Sequence, residues 1–351
     1  MESNRIPAVY PLTPLADTPM NRIFRPFTIR RLFAGLLALC AGCALAHPGA
    51  EEFAERISAE QDFDYDRVIE VLERARYQQS IIDAITRPAE SKPWHEYRQI
   101  FIRNKRIEDG AEFWSANGQL IEQVAERYGV DPFIVLAIIG VETNYGSITG
   151  SHRVIDALVT LGFYYPRRAE FFARELAEFF RLAREEDLPL EEVQGSYAGA
   201  MGVGQFIPSS YRAYAVDFDG SGSRDLWRSL PDALASVGNY LAVHGWRESQ
   251  PTVLKADRVP DGLDEEFPIR PAHTLGELEA MGIAFEAGGL PSDTKATLIE
   301  LDGASGPEHW VGLQNFYVIT RYNRSPLYAM AVSELAALLE QRMTAGLAAA
   351  E

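Results

Sequence analysis

Apolar residues recur at helical spacing from residue 51 onward. Phe53 and Ile57, then Val68, Ile69, Leu72 and Ala75, then Ile81, Ile82 and Ile85 predict helices over 51–87 that stop near Pro88. A break containing Pro, Ser and Lys at 88–93 leads into a longer helical region from about Phe101 to Gly245. Between about 250 and 312 the period changes. TVLKA, ATLIEL and HWVGL read as short strands punctuated by Gly and Pro, with one helix capped by Thr274 and Glu277. NFYVITRYN follows, and Ser325-Pro326 supplies an N-cap and a first-turn proline for a closing helix to about Met343. The expected organisation is mainly α (α+β): an export segment at 1–46, a helical domain at 47–100 completed by the C-terminal helix, a helical core at 101–249, a small inserted β-rich domain at 250–312, and a return to the core with the last helix over 313–351. There is no internal repeat.

One run departs from amphipathic spacing. PFIVLAIIGV is apolar on every side, and Asp131 and Pro132 are a natural N-cap and first helical residue, so the pattern predicts about three buried turns ending at Glu142. Desolvation and the negative end of the helix dipole both disfavour a charge there, and no basic residue lies within four positions. A carboxyl so placed is protonated more readily than a surface glutamate, which is the poise a general acid needs near neutral pH. The competing reading is a helix-terminal glutamate turned out to solvent.

Composition narrows the field. The chain has 351 residues, 47% of them hydrophobic and 24% charged, enough for a substantial core. A net charge of −17 argues against nucleic acid or an anionic membrane surface as the main partner. Arg22, Arg25, Arg30 and Arg31 precede the apolar run LFAGLLALCAGCALA, which ends on Ala44-Leu45-Ala46, and together they read as a secretory signal. Translation from Met20 fits that organisation as well as translation from Met1. Two fates are open: cleavage after Ala46, giving a free periplasmic protein, or lipid attachment at Cys43, tethering it to the outer membrane. Both cysteines, Cys40 and Cys43, lie in this segment, so a chain cut after Ala46 has no thiol to pair. No later segment has the ~20 apolar residues a membrane span needs.

Five blocks in order carry a family resemblance: GVETNYG at 140–146, DALVTLGFYYPRRAEFF at 156–172, GSYAGAMGVGQFIPSSYRAYAVDFDGSG at 195–222, SVGNYLAVHGW at 236–246 and NFYVITRYNRSPLYAMAV at 315–332. They resemble the membrane-bound type B lytic transglycosylases, bacterial enzymes that cleave the glycan strands of peptidoglycan. The resemblance implies a lysozyme-like helical core and makes Glu142, in the V-E-T block, the sole catalytic acid and base. It implies protonation of the bond between N-acetylmuramic acid and N-acetylglucosamine, followed by attack of the muramoyl C6 hydroxyl on C1 to give a 1,6-anhydro end without water. Most glycosidases use two carboxylates instead. It further places Ser196, Gln205, Tyr240, Tyr322, Asn323 and Tyr328 along the cleft, and Arg167 and Arg168 near the peptide-bearing part of the substrate. A hydroxyl and an amide suit N-acetyl and hydroxyl recognition, and tyrosine can lie along a sugar face. The two arginines read equally well as a solvated helix start. A hydrolytic muramidase and a catalytically idle peptidoglycan-binding scaffold are the alternatives, and other cell-wall enzymes are possible partners.

DFDGSGSRDLWRSLPD, residues 217–232, adds a candidate metal loop. Asp217, Asp219 and Ser221 take positions 1, 3 and 5 of an EF-hand-like loop, Gly222 the turn, and Ser223 the carbonyl position. Position 12 is Arg228, where an EF-hand has glutamate. The resemblance implies a lengthened loop closed by Asp232 around a structural calcium ion, with no cofactor for catalysis. Ser229 to Asp232 also reads as a helix cap.

Overall fold

The computed structural model describes residues 47–348 apart from Asp264, so the export segment with Cys40, Cys43 and Ala46 lies outside the described residues. Three short helices begin the described chain: α1 (Ala50–Gln61), α2 (Tyr65–Arg74) and α3 (Gln79–Ile85). Asp64 caps α2 by accepting from the Arg67 amide. A 3-10 turn at Ala89–Ser91 crosses to α4 (Trp94–Phe101), and the helical core continues with α5 (Asn104–Tyr128) and α6 (Pro132–Thr143). A two-residue strand β1 (His152–Arg153) leads to α7 (Val154–Tyr164) and α8 (Ala169–Glu185). Then β2 (Gln194–Gly195) pairs with β1, followed by α9 (Pro208–Tyr214) and α10 (Leu230–Val243).

The apolar run at 132–141 is the centre of the molecule. Val135 to Ile139 are fully buried, and α6 packs against α5, α10 and the last helix. The first three helices lie elsewhere, on α7 and α8, where Phe53 meets Phe163 and Phe180 edge-on or tilted. Asp156 is buried and fastens that side: its carboxylate takes the Arg153 guanidinium, the Arg76 amide and the Gln78 side-chain amide.

The change of texture after residue 250 corresponds to a five-stranded antiparallel sheet, built from β3 (Val253–Arg258), β4 (His273–Thr274), β5 (Ala284–Phe285), β6 (Lys295–Gly303) and β7 (Gly306–Leu313) in the order β4-β6-β7-β3-β5. Between β4 and β5 sits α11 (Leu275–Ala280), closed by a reciprocal capping box of Thr274 and Glu277. The sheet has its own small core of Leu275, Leu278, Ile283, Val311 and Leu313. Ile299 and Leu301 of β6 belong to the main core instead, and α4 packs on β6. The chain re-enters the core through α12 (Gln314–Tyr322) and ends in α13 (Pro326–Ala348). Ser325 caps α13 by accepting from the Tyr328 amide. This last helix packs on α6, α5 and α4, so of the region 47–100 it covers α4, while α1–α3 rest on α7 and α8. It also runs past Met343 to Ala348, continuing through Gly346.

Candidate active site

The helix that carries Glu142 starts and stops as its sequence dictates. The Asp131 side chain accepts from the amides of Phe133 and Ile134, and Pro132 fills the first turn. At the other end Asn144, Tyr145 and Gly146 all take positive φ, and the amides of Asn144 and Tyr145 return to the carbonyls of Gly140 and Ile139. This reversal is locked by packing. The Tyr145 ring lies so close to Gly140 that a Cβ there would come within 2.8 Å of it, and its hydroxyl donates to the Arg106 carbonyl at 2.9 Å. Thr143, almost fully buried, donates to the Val203 carbonyl and accepts from the Gly146 amide, both at 2.9 Å. The turn after Glu142 is thereby tied to the glycine-rich loop at 195–206.

Glu142 itself is only partly exposed. Its Oε1 accepts from the Tyr328 hydroxyl at 2.6 Å, which leaves Oε2 to carry a proton. Burial pushes the carboxyl up to about 7; the Tyr328 hydrogen bond, which favours the carboxylate, opposes this, and the negative charge of Glu90 adds to it. The Tyr322 and Tyr328 phenols are held well above their usual value, first by burial and then by the charge of Glu142, so both stay protonated donors. The site therefore holds a carboxyl that keeps its proton to higher pH than a surface glutamate does, beside two neutral hydroxyls.

The other expected residues divide by what their polar atoms already do. Ser196 accepts from the amides of Ala198 and Ala200 at 3.3 and 3.0 Å, so its own hydrogen is available to a ligand. Gln205 sits at φ 52° and donates through Nε2 to the carbonyls of Thr149 and Gly202, which leaves its amide oxygen as an acceptor. Tyr322 donates to the Gly204 carbonyl. Its ring stands edge-on to Tyr240 and Phe206, with centroids 4.8 and 5.6 Å away. Tyr240 differs from the expectation of a cleft-lining hydroxyl: it is buried, donates to the Arg321 carbonyl at 2.5 Å and stacks on His244, so it supports Tyr322 from behind. Asn323 caps the end of α12 and points its amide toward Glu90, 3.4 Å away. Arg167 and Arg168 are exposed at the start of α8, and Arg168 spreads over the Phe171 ring at 4.3 Å.

Three residues went unassigned in the sequence reading. Tyr97 of α4 is buried, and its hydroxyl feels the charges of Glu90 and Glu142. Glu90 is on the 3-10 turn, and Thr143 is described above. Of these only Thr143, inside the V-E-T block, had a local signal; the others come from a segment that joins the site through packing of α4.

The loop after α9 gathers Asp217, Asp219 and Asp232, with one carboxylate oxygen of each within 4.8 Å of the others. Asp217 accepts from the amides of Ser221 and Gly222, and Asp219 from the Ser221 amide and the Ser229 hydroxyl. Asp232, fully buried, accepts from the amides of Phe218, Asp219 and Asp225. Ser221 Oγ reaches the Ser223 carbonyl at 3.3 Å. Among the described residues no Lys or Arg pairs with these three carboxylates, so the oxygens converge without a cation to balance them. A hard divalent cation is the chemistry such an all-oxygen set accepts. Ser229 caps α10 at the same time, accepting from the Asp232 amide.

A lysozyme-like helical core holds one partly buried carboxyl among neutral hydroxyls and amides, an arrangement whose chemistry suits proton transfer to a glycan. Comparison with known proteins is specific. The Transglycosylase SLT domain family matches residues 46–337, and the chain belongs to this family. Membrane-bound lytic murein transglycosylase B of Escherichia coli (strain K12) is 40% identical over 300 residues, 82% of each chain. The crystal structure of the catenated lytic transglycosylase SltB1 from Pseudomonas aeruginosa superimposes with a TM-score of 0.78 at 45% identity, covering 84% of this chain and 98% of that one. The Escherichia coli lytic transglycosylase Slt35, solved in complex with calcium, gives a TM-score of 0.76 at 38% identity, covering 86% and 95%.

Proposed function

We propose that the chain is a lytic transglycosylase of peptidoglycan in which Glu142 serves alone, first as acid and then as base. Protonated Glu142 gives its proton to the glycosidic oxygen between N-acetylmuramic acid and N-acetylglucosamine as the C1–O bond breaks. The resulting carboxylate takes the proton of the C6 hydroxyl of the same muramoyl ring as that oxygen bonds to C1. The proton returns to Glu142, no water is consumed, and the product carries a 1,6-anhydro end. A nucleophile within the ring already holds the proximity that a second molecule would have to acquire.

The observation that carries this reading is the placement of Glu142, partly buried at the end of α6 with the Tyr328 hydroxyl on its Oε1 at 2.6 Å. Burial pushes this carboxyl upward, toward the range in which one group can serve as acid and then as base, so Glu142 suits both half-reactions. The free hydrogen of Ser196 and the free amide oxygen of Gln205 suit the N-acetyl and hydroxyl groups of the sugars. Tyr328 aims the carboxyl, and Tyr322 and Asn323 shape the cleft beside it. Arg167 and Arg168 offer positive charge to the carboxylates of the substrate's peptide. A calcium ion held by Asp217, Asp219, Ser221, the Ser223 carbonyl and Asp232 would be structural: bound there, it would neutralise three carboxylates and fix the loop between α9 and α10. The enzyme works after export, in the periplasm.

Mass spectrometry of the soluble products from purified peptidoglycan tests the chemistry. Anhydromuramoyl ends are expected from the wild-type protein, and none from Glu142→Gln. Reducing-end muramic acid as the sole product would make the protein a hydrolase.

A further inference from the structure

Between Glu142 and β1 the chain makes a short strap over 147–150 that its side chains do not hold in place. Ser147, Ile148 and Gly150 are exposed, and Ile148, at 68%, is the most open large hydrophobic side chain among the described residues. The path of the strap is set by backbone contacts instead. At its start the Ile148 amide donates to the Thr143 carbonyl at 2.9 Å, one residue beyond Glu142. At its end the Thr149 carbonyl accepts from Gln205 Nε2 at 3.1 Å. Gly150, at φ 98°, lies against the peptide that joins Gly195 to Ser196: a Cβ there would come within 2.1 Å of the Gly195 carbonyl oxygen and 2.6 Å of the Ser196 amide nitrogen. The strand that follows continues this approach, with His152 of β1 paired to Gly195 of β2.

Both ends of the strap thus bear on known neighbours: one on the residue after the acid, the other on Ser196 and Gln205. Gln205 has a left-handed backbone, which residues with a side chain adopt rarely, and its Nε2 uses its two hydrogens on the Thr149 and Gly202 carbonyls. Turned the other way, the amide would set its oxygen against both carbonyls, so Oε1 is the atom it presents. Ser196 is fixed in the opposite sense. Its amide donates to the Ala200 carbonyl at 2.8 Å and its Oγ accepts from the Ala198 and Ala200 amides, so it presents a hydrogen. We propose that Thr149 and Gly150 are positioning residues for glycan recognition. The Thr149 carbonyl fixes which way round the Gln205 amide stands. Gly150, lacking a side chain, lets the strap close on Ser196, so that one acceptor and one donor are held at a set distance from the end of α6. The proposal rests on the reading of Ser196 and Gln205 as sugar contacts, through which both residues act.

Steady-state kinetics of the full mature protein on soluble, uncross-linked glycan strands tests this. Gly150→Ala forces a side chain into positive φ and pushes the strap off the Gly195–Ser196 peptide. KM should rise about tenfold and kcat fall by less than about threefold, because the bond between Tyr328 and Glu142 is left intact. Gln205→Glu is a second variant, which disturbs no backbone. It keeps the shape and an acceptor oxygen but turns an oxygen toward the Thr149 and Gly202 carbonyls, so KM should rise at least as far as in Gln205→Ala. The decisive measurement is a cycle. In a background carrying both Ser196→Ala and Gln205→Ala, Gly150→Ala should raise KM by less than about twofold further, since the groups it positions are gone; a glycine needed only for structure would cost the same in either background. An unchanged KM in Gly150→Ala, a wild-type KM in Gln205→Glu, or full additivity in the cycle would overturn the proposal. Ser196→Ala and Gln205→Ala alone separate the two levels. If they raise KM and the cycle is additive, only the strap fails; if neither raises KM, the two sugar contacts fail.

Discussion

The Tyr328 hydroxyl donates to Glu142 Oε1 at 2.6 Å across 186 residues of sequence, from the first turn of α13 to the last turn of α6. Two opposing influences meet at this bond. Burial favours the protonated acid, and Tyr328 favours the carboxylate. Tyr328→Phe removes the donor with almost no change of shape. The carboxyl should then hold its proton to higher pH, so the basic limb of kcat/KM should move up by about one pH unit. kcat should drop by roughly tenfold or more, because the carboxylate needed as base loses its orientation. A pH–rate profile of the variant checks both.

Glu142 also affects stability, with a defined sign. Its carboxyl is raised in the folded protein from the ordinary 4.5 to about 7, so folding favours the protonated form. That contribution is fully present below 4.5 and is lost as pH rises through 7. Glu142→Gln has no such loss. The variant should match the wild type at pH 4 and exceed it at pH 8, by on the order of 1–3 kcal/mol given the partial solvent contact of the side chain. Urea unfolding at the two pH values measures the difference.

Thr143→Val keeps volume and removes the hydroxyl that joins Val203 and Gly146. A carbonyl and an amide lose a buried partner, which should cost roughly 2–3 kcal/mol. kcat should fall with it, since the loop bearing Ser196 and Gln205 is no longer tied to the end of α6. Thr143→Ser, which retains the bonds, should recover most of the activity.

Calcium should raise the melting temperature by a few degrees when present at about 100 times its dissociation constant, and a chelator should reverse the gain. Asp217→Asn and Asp219→Asn should abolish the response. kcat at a temperature well below melting should change little, because none of these carboxylates bonds to Glu142 or Tyr328. A melting temperature indifferent to calcium, to chelator and to both substitutions would remove the ion from the account.

Local features of the fold were legible in the sequence because local chemistry decides them. Asp131-Pro132 started α6, Ser325-Pro326 started α13, Thr274 and Glu277 capped α11, and the period change after residue 250 marked the sheet. Glu142 stood out for the same reason, as a charge after an apolar run. What the sequence could not show is where side-chain polar atoms end up. Tyr240 and Tyr322 look alike in a motif, yet Tyr240 gives its hydroxyl to a carbonyl 81 residues away and packs behind the site. Glu90 and Tyr97 belong to a stretch that reads as a break and a short helix, and only the packing of α4 against α13 and β6 brings them to the cleft. The direction in which a chain crosses the core depends on long-range contacts that no local pattern encodes.

The most direct test of the central claim is the titration of the Glu142 side-chain carboxyl, followed by carbon NMR on protein labelled at glutamate and assigned by its absence in Glu142→Gln. A single carboxyl titrating near 7, well above the ordinary 4.5, is the result predicted. A Glu142 signal that titrates at 4.5, as an open surface glutamate does, would contradict the account.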